Sequence, residues 1–235
     1  MRLDNYLVEN SFFESRNRAQ EAIKNGLVKV DNKIIKKPSF KINSQKIDLL
    51  KDKFYVSRAG KKLESYLQEY TLPIKDSRCL DIGSSTGGFT QILLENSALS
   101  VDCVDVGKEQ LHHSLRENDR VNVYEECDIR EFKSKPYDLI VSDVSFISLL
   151  LIVDSINRLS RDGTVITLLF KPQFEVGINV KRNSKGVVQD IKAIQKAKEL
   201  FLAKTKELGW IVLDNRKSRI SGKEGNIEEF FTFKK

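Results

Sequence analysis

No stretch of the 235 residues approaches the ~18 consecutive apolar positions that a membrane-spanning helix needs, and Met1-Arg2-Leu3-Asp4 opens without an apolar signal segment. The chain is therefore expected to be soluble and cytoplasmic, with no membrane partner. Cysteine is scarce. Cys79, Cys103 and Cys127 stand too far apart for a zinc knuckle and each adjoins an apolar segment, so reduced, buried thiols are expected. The only histidines, His112 and His113, fall in a helical pattern with Leu111 and Leu115 and read as surface or boundary residues, so no metal site is expected. Also absent are the Gly-Lys-Ser/Thr of a phosphate loop and the G-x-G-x-x-G of a dinucleotide fingerprint. There is no internal repeat and no low-complexity tract.

Positive charge, by contrast, is plentiful and unevenly placed. Residues 1 to 60 hold 13 Lys/Arg against 7 Asp/Glu, a surplus of 6 out of a net charge of +7, so the rest of the chain is close to neutral. A basic end on a neutral body points to a nucleic-acid-binding module. At 40% hydrophobic content the chain can bury a sizeable core, as one domain or as a large plus a small one. Residues 1–50 read as the small one. Leu3, Tyr6 and Leu7 are helically spaced, Ser15 can cap a second helix with Ala19, Ala22 and Ile23 on one face, and Gly26 ends it. Strands over 27–30 and 34–36, joined by Asp31-Asn32-Lys33, complete the unit, and a linker is expected over 51–56. Arg2-Leu3-Asp4, Ser15-Arg16, Ala19, Ile23, Gly26 to Asp31 and Lys37-Pro38 together resemble the RNA-binding domain named after ribosomal protein S4. Arg16, Arg18 and Lys24 on the second helix, with Lys29, Lys33, Lys36 and Lys37 on the hairpin, would present cations to phosphates. Arg2 and Arg58 join these candidate RNA contacts.

Asp81-Ile82-Gly83-Ser84-Ser85-Thr86-Gly87-Gly88-Phe89-Thr90 follows the apolar pair Cys79-Leu80 and runs into Gln91-Ile92-Leu93-Leu94, which reads as strand, tight turn and helix. Glycines there allow close backbone approach to a ligand, and the helix-opening amides face its anionic end. The loop resembles the S-adenosylmethionine loop of class I methyltransferases, which implies cofactor contacts from Asp81, Gly83, Ser84, Gly87 and Gly88. Downstream, strands over 101–106, 121–124, 139–141 and 164–170 alternate with helical patterns near 108–117, 149–160 and 191–208, the mark of a parallel sheet with helices on both faces. The last two strands, over 210–213 and 228–233, have no helix between them and are expected to form an antiparallel edge pair. In such sheets ligands bind outside the carboxyl ends of the strands. Asp105 would then accept both ribose hydroxyls, and Asp128 the adenine amino group.

On the acceptor side, the Asn/Asp-Pro-Pro-aromatic motif of base-nitrogen methyltransferases and the cysteine nucleophile of pyrimidine-carbon enzymes are both missing. What stands there is Asp143 after strand four and Lys171 after strand five, with Lys62 upstream and Glu228 or Glu229 in the last strand. Ser57-Arg58-Ala59, Lys62-Leu63, Asp143 to Leu149, Lys171 to Gly177, Lys185 to Val188 and Gly225-Asn226-Ile227-Glu228 resemble the haemolysin A (TlyA-like) family. The resemblance implies an α/β, Rossmann-like class I methyltransferase, a mostly parallel seven-stranded sheet with an antiparallel edge pair, FtsJ-like, over 57–235, preceded by the small α+β S4-type domain. It implies S-adenosylmethionine-dependent 2′-O-ribose methylation of ribosomal RNA, at cytidine, with ribosomal RNA or ribosomal subunits as partners and no protein partner. It also carries the quartet Lys62, Asp143, Lys171 and Glu228 onto this chain. Two glutamates stand where the family has one; strand alternation sends them to opposite faces, and the offset from Gly225-Asn226 favours Glu228. Lys171 is expected to take the hydroxyl proton, its basicity lowered by Lys62 and by desolvation. A non-catalytic RNA-binding or ribosome-assembly factor and a membrane-active haemolysin are the alternatives.

Overall fold

The computed structural model describes residues 1–13, 15–24, 26–43, 45–50 and 55–235, and it divides into two units, Met1–Phe54 and Tyr55–Lys235. Of the linker expected over 51–56, residues 51–54 lie outside the described residues, and Tyr55 and Val56 already pack on the core of the second unit.

In the first unit, helices α1 (Leu3–Glu9) and α2 (Arg16–Lys24) bury Leu3, Leu7, Ala19, Ala22 and Ile23, residues three or four apart that share one face. Val28, Val30 and Ile42 close this core. Strands β1 (Val28–Val30) and β2 (Lys33–Ile34) turn through Asp31 and Asn32, both left-handed, a conformation that Asp and Asn tolerate. A third strand, β3 (Ile47–Leu49), which the sequence reading did not place, lies against the other edge of β1. Three half-exposed residues are too few to display an alternating pattern, and their partner lies far upstream.

The second unit begins with α3 (Arg58–Leu67), then β4 (Arg78–Ile82), α4 (Gly88–Glu95), β5 (Ser100–Val104), α5 (His113–Arg116), β6 (Val121–Tyr124) and β7 (Tyr137–Ser142). It continues through a 3₁₀ turn at Leu149–Leu151, α6 (Val153–Arg158), β8 (Ser160–Phe170), α7 (Pro172–Glu175), α8 (Ile191–Glu207), β9 (Ile211–Lys217) and β10 (Glu229–Lys234). The seven-stranded sheet has the order β6-β5-β4-β7-β8-β10-β9, parallel except that β10 runs antiparallel to both β8 and β9. This is the expected class I architecture. Apolar runs such as Cys79-Leu80 and Leu139-Ile140-Val141 fill both faces of the central strands, and each face carries its own core. On one of them Phe170, Phe201, Phe231, Phe233 and Trp210 pack edge to face or tilted at 5.5–5.9 Å, seating α8 on β8 and β10.

Three expectations need correction. The helix placed over 108–117 shrinks to His113–Arg116, because the Glu125 carboxylate accepts the backbone N–H groups of Glu109, Gln110 and Leu111 and holds that segment as a loop. The helix over 149–160 is a 3₁₀ turn and a short α6, with β8 starting at Ser160. Cys79 and Cys103 are buried, but Cys127 is only half-buried. Among the described residues no helix is long and apolar enough to cross a membrane, and no three His, Cys, Asp or Glu residues converge as metal ligands.

Candidate active site

The carboxyl ends of β4, β5, β6 and β7 open into a cavity of about 500 Å³. Gly83, Asp105, Asp128 and Asp143 line it, as do Ser85, Gln110, Arg130 and Phe146, which the sequence reading did not single out. Gly83 has φ +74, and a Cβ there would meet Val144 Cγ1 at 2.9 Å, so only glycine leaves this wall in place. Ser84, Gly87 and Gly88 do not line the cavity. Ser84 is buried and its carbonyl accepts from Gly87 N–H, a Cβ on Gly87 would strike Leu111 at 2.8 Å, and one on Gly88 would strike Gly60 N at 2.7 Å. The last two glycines therefore let helices approach one another rather than frame the opening.

Asp105 is aimed by two backbone donors, Ser85 N–H to Oδ2 at 2.8 Å and Gly107 N–H to Oδ1 at 2.7 Å, which leaves lone pairs on both oxygens toward the cavity. Asp128 is gripped by Arg130, whose guanidinium holds its carboxyl below the usual carboxylate range. Asp81 is fully buried. Its Oδ2 accepts Thr90 N–H at 2.9 Å and Thr90 Oγ1–H at 2.7 Å, while its Oδ1 has no partner. Burial, with the charges of Asp143 and Asp105 adding to it, pushes the Asp81 carboxyl up to about 7. Asp81 itself, like Ser84, Gly87 and Gly88, is not among the residues that line the cavity. The carboxylates that line the cavity thus fit S-adenosylmethionine, with hydroxyls for Asp105 and an amino group for Asp128.

The four residues of the expected quartet come together from four elements. Lys62 of α3 is 8% exposed, with Nζ 2.7 Å from Glu228 Oε2 and 3.8 Å from Asp143 Oδ1. Lys171, the residue after β8, is 6% exposed; its Nζ lies 2.7 Å from Asp143 Oδ1 and donates to Asp143 O at 3.0 Å and Ser145 Oγ at 2.9 Å. By distance the lysine–carboxylate contacts are ion pairs, but neither Asp143 Oδ1 nor Glu228 Oε2 receives an aligned hydrogen bond. Two cations and two anions balance. β10 begins at Glu229, one residue later than expected, so Glu228 stands just before the strand; Glu229 turns the other way and pairs with Lys198 of α8. Ser145 lies in the Asp143 to Leu149 stretch but was given no role there; folding brings it to Lys171.

The acceptor loop is braced as well. Glu175 accepts Ser148 Oγ–H at 2.5 Å and Leu149 N–H at 3.0 Å, tying the segment after β7 to the turn after Lys171, and burial raises the Glu175 carboxyl. Phe146 is 91% exposed with φ +66, a conformation costing a bulky residue about 1–3 kcal/mol, and its ring lies 5.2 Å from that of Phe174.

Of the candidate RNA contacts, Lys24, Lys36 and Lys37 are exposed and Lys29 is half-buried. Arg18, also exposed, opens α2 with its N–H on Ser15 Oγ. Arg2 and Arg16 converge on the buried carboxylate of Asp4, a residue to which the sequence reading gave no role. Arg58 donates to Ser221 O at 3.0 Å and so ties the start of α3 to the loop before β10.

Comparison with known proteins gives matches over both units. Residues 1–46 match the S4 domain and residues 55–235 the FtsJ-like methyltransferase family. The chain is 45% identical to the 23S rRNA (cytidine-2′-O)-methyltransferase TlyA of Campylobacter jejuni, covering 99% of each chain. It is 35% identical to the 16S/23S rRNA (cytidine-2′-O)-methyltransferase TlyA of Mycobacterium tuberculosis, over 97% of this chain and 88% of that one. Hemolysin A of Brachyspira hyodysenteriae is likewise 35% identical, over 97% of each. Among solved structures, one from Streptococcus thermophilus, described as a candidate hemolysin, superposes with a TM-score of 0.72 at 36% identity, covering 100% of this chain and 88% of the other.

Proposed function

This chain belongs to the haemolysin A (TlyA-like) family of FtsJ-like methyltransferases that carry an S4 domain, and from that membership we propose that it moves a methyl group from S-adenosylmethionine to a cytidine 2′-hydroxyl of ribosomal RNA. It is an RNA ribose-2′-O-methyltransferase. The observation that carries the chemical reading is the pair of buried lysines sharing Asp143 at the mouth of a cavity lined by Asp105 and Asp128.

Asp81, Asp105 and Asp128 would hold the cofactor, which when bound supplies a methyl group already activated on a sulfonium. A ribose hydroxyl is a weak nucleophile, so the chain's own residues must align it and dispose of its proton. Lys171 Nζ is the group that receives or steers that proton. Asp143 and Ser145 fix its position from three sides, and Glu228 holds Lys62 against the same carboxylate so that the site stays neutral overall. Phe146 and Phe174 offer an aromatic surface for a base at the cavity mouth. The S4 unit anchors the RNA through its cationic face.

The direct test is to map 2′-O-methylation on ribosomal RNA after incubation with protein and cofactor. New methylation confined to cytidine sites is expected, and RNA bound with cofactor present but left unmodified would overturn the reading in favour of a non-catalytic assembly factor.

Cofactor binding should show two signatures. Asp105→Ala should weaken S-adenosylmethionine binding by about 1.5–3 kcal/mol, the scale of hydrogen bonds to a charged group, and unchanged affinity by calorimetry in a folded variant would remove Asp105 from the site. Asp81 adds a pH dependence. Its carboxyl sits near 7 without ligand, and a cation beside Oδ1 favours the ionised form, so binding releases a proton. Affinity should therefore tighten as pH rises through about 7 and fall by up to about tenfold per unit below it. Asp81→Asn should flatten this profile; an identical slope in the variant would assign the titration elsewhere.

A further inference from the structure

We propose that Asp4 is the positioning residue of a phosphate site in the first unit, where it clamps Arg2 and Arg16 into a fixed cation pair that takes one backbone phosphate of RNA. The inference deepens the RNA-binding reading of this unit and rests on it.

Asp4 is 0% exposed and its carboxylate gathers five donors. Arg2 delivers Nε and Nη2 as a fork at 2.9 Å each, Arg16 gives Nε at 3.0 Å, Gln20 gives Nε2 at 2.7 Å and Asn5 gives its backbone N–H at 3.1 Å. Capping α1 does not require this set. Arg2 occupies the cap position, and Asp4, already inside the first turn, spends one bond on the backbone and the rest on side chains. The carboxylate is saturated and buried, so it is closed to solvent ligands, and what faces outward is the other edge of each guanidinium. Nη1 of Arg2 and both terminal nitrogens of Arg16 take no hydrogen bond among the described residues, and the two side chains are 44% and 53% exposed. The fork from Arg2, with Gln20 and Arg16 adding to it, holds the Asp4 carboxyl far below the usual carboxylate range, so the anion persists at any working pH.

Charge then decides the ligand. Two guanidiniums on one carboxylate leave a single uncompensated positive charge on a rigid two-armed donor, which matches one phosphodiester. The arms come from different elements, Arg2 before α1 and Arg16 at the start of α2, so no local turn would hold them together without Asp4.

The test compares full-length variants for ribosomal RNA binding across a salt series, with circular dichroism and melting to check folding. Asp4→Asn removes a negative charge from an RNA-binding face, so a carboxylate that merely repels phosphate predicts tighter binding. A positioning role predicts about tenfold weaker binding, the scale of one charge-assisted contact, despite the lost anion. Arg2→Lys and Arg16→Lys keep the charge but lose the fork, and each should also weaken binding several-fold. These carry the decision if Asp4→Asn does not fold. Replacing both arginines by alanine should lower the slope of log affinity against log salt by about 0.7–0.9, one phosphate's worth rather than two. Undiminished affinity in Asp4→Asn or in both lysine variants, or a slope change of two phosphates, overturns the proposal while leaving the RNA-binding reading intact. A wild-type chain that fails to bind ribosomal RNA at all would instead remove the reading on which the proposal stands.

Discussion

Lys171→Ala should slow single-turnover methyl transfer by about 10²-fold or more at saturating RNA, the scale of a lost general base, with cofactor and RNA dissociation constants nearly unchanged. The expectation follows from placement. Nζ of Lys171 is the end of a buried side chain brought into register by the last residue of β8, and three acceptors from the segment after β7 surround it. Lys171→Arg supplies the same charge in a larger, planar group that does not give up a proton, so it should be nearly as impaired. A lysine that only touches phosphate predicts the reverse, with Arg restoring function and Ala weakening RNA affinity. Removing Lys171 also leaves Asp143 with Lys62 alone, 3.8 Å away, a loss of partner of the kind that costs buried pairs about 3–5 kcal/mol. Rates must therefore be taken well below the melting temperature of each variant. Near-normal turnover in Lys171→Arg would leave this residue as an electrostatic guide.

The second large effect separates two adjacent glutamates. Glu228→Gln should reduce single-turnover transfer by about tenfold or more, because it removes the partner 2.7 Å from Lys62 and frees that lysine to compete for Asp143. Glu229→Gln should leave transfer close to normal. Its carboxylate serves Lys198 on the other side of the sheet, and since Glu229 is buried and Lys198 20% exposed, the loss should show in stability, by about 1–3 kcal/mol, and not in the rate. Rates and melting curves for the two variants decide the assignment. Equal loss of transfer in both would mean that the sheet edge, and not the Lys62 partnership, sets activity.

How far the chain could be read without coordinates depended on the range of each interaction. The cofactor loop and the strand-helix alternation are local patterns, and the central strands announced themselves as continuous apolar runs. Asp105 and Asp143 could be placed because the end of a parallel strand is where a sheet of this kind meets its ligand. Glu228 was chosen over Glu229 by offset, and its neighbour, the first residue of β10, turns the other way to Lys198. What stayed hidden was non-local. Asp4 looks like any acid in the first turn of a helix, and nothing nearby says that Arg16 and Gln20 will return to it from twelve and sixteen residues away. Ser145 and Ser85 are ordinary loop serines until Lys171 and Asp105 reach them. Strand β3 was missed and the loop over 108–112 misread because a single distant partner, β1 in one case and Glu125 in the other, overrides weak local preference.

The contact between Gly60 and Gly88 fixes something that no side chain could. At this point α3, which carries Lys62, and α4, which the cofactor loop opens into, meet backbone against backbone, with the position a Cβ would take on Gly60 lying 3.1 Å from Gly88 O. Side chains act as springs, since a rotamer can give and take up a displacement, whereas two backbones in direct contact cannot. A shift of the glycine-rich loop after β4 would therefore be passed on to the helix that carries Lys62. On the proposed reading, the two halves of the site would then share one rigid joint, made possible by the absence of two methyl groups.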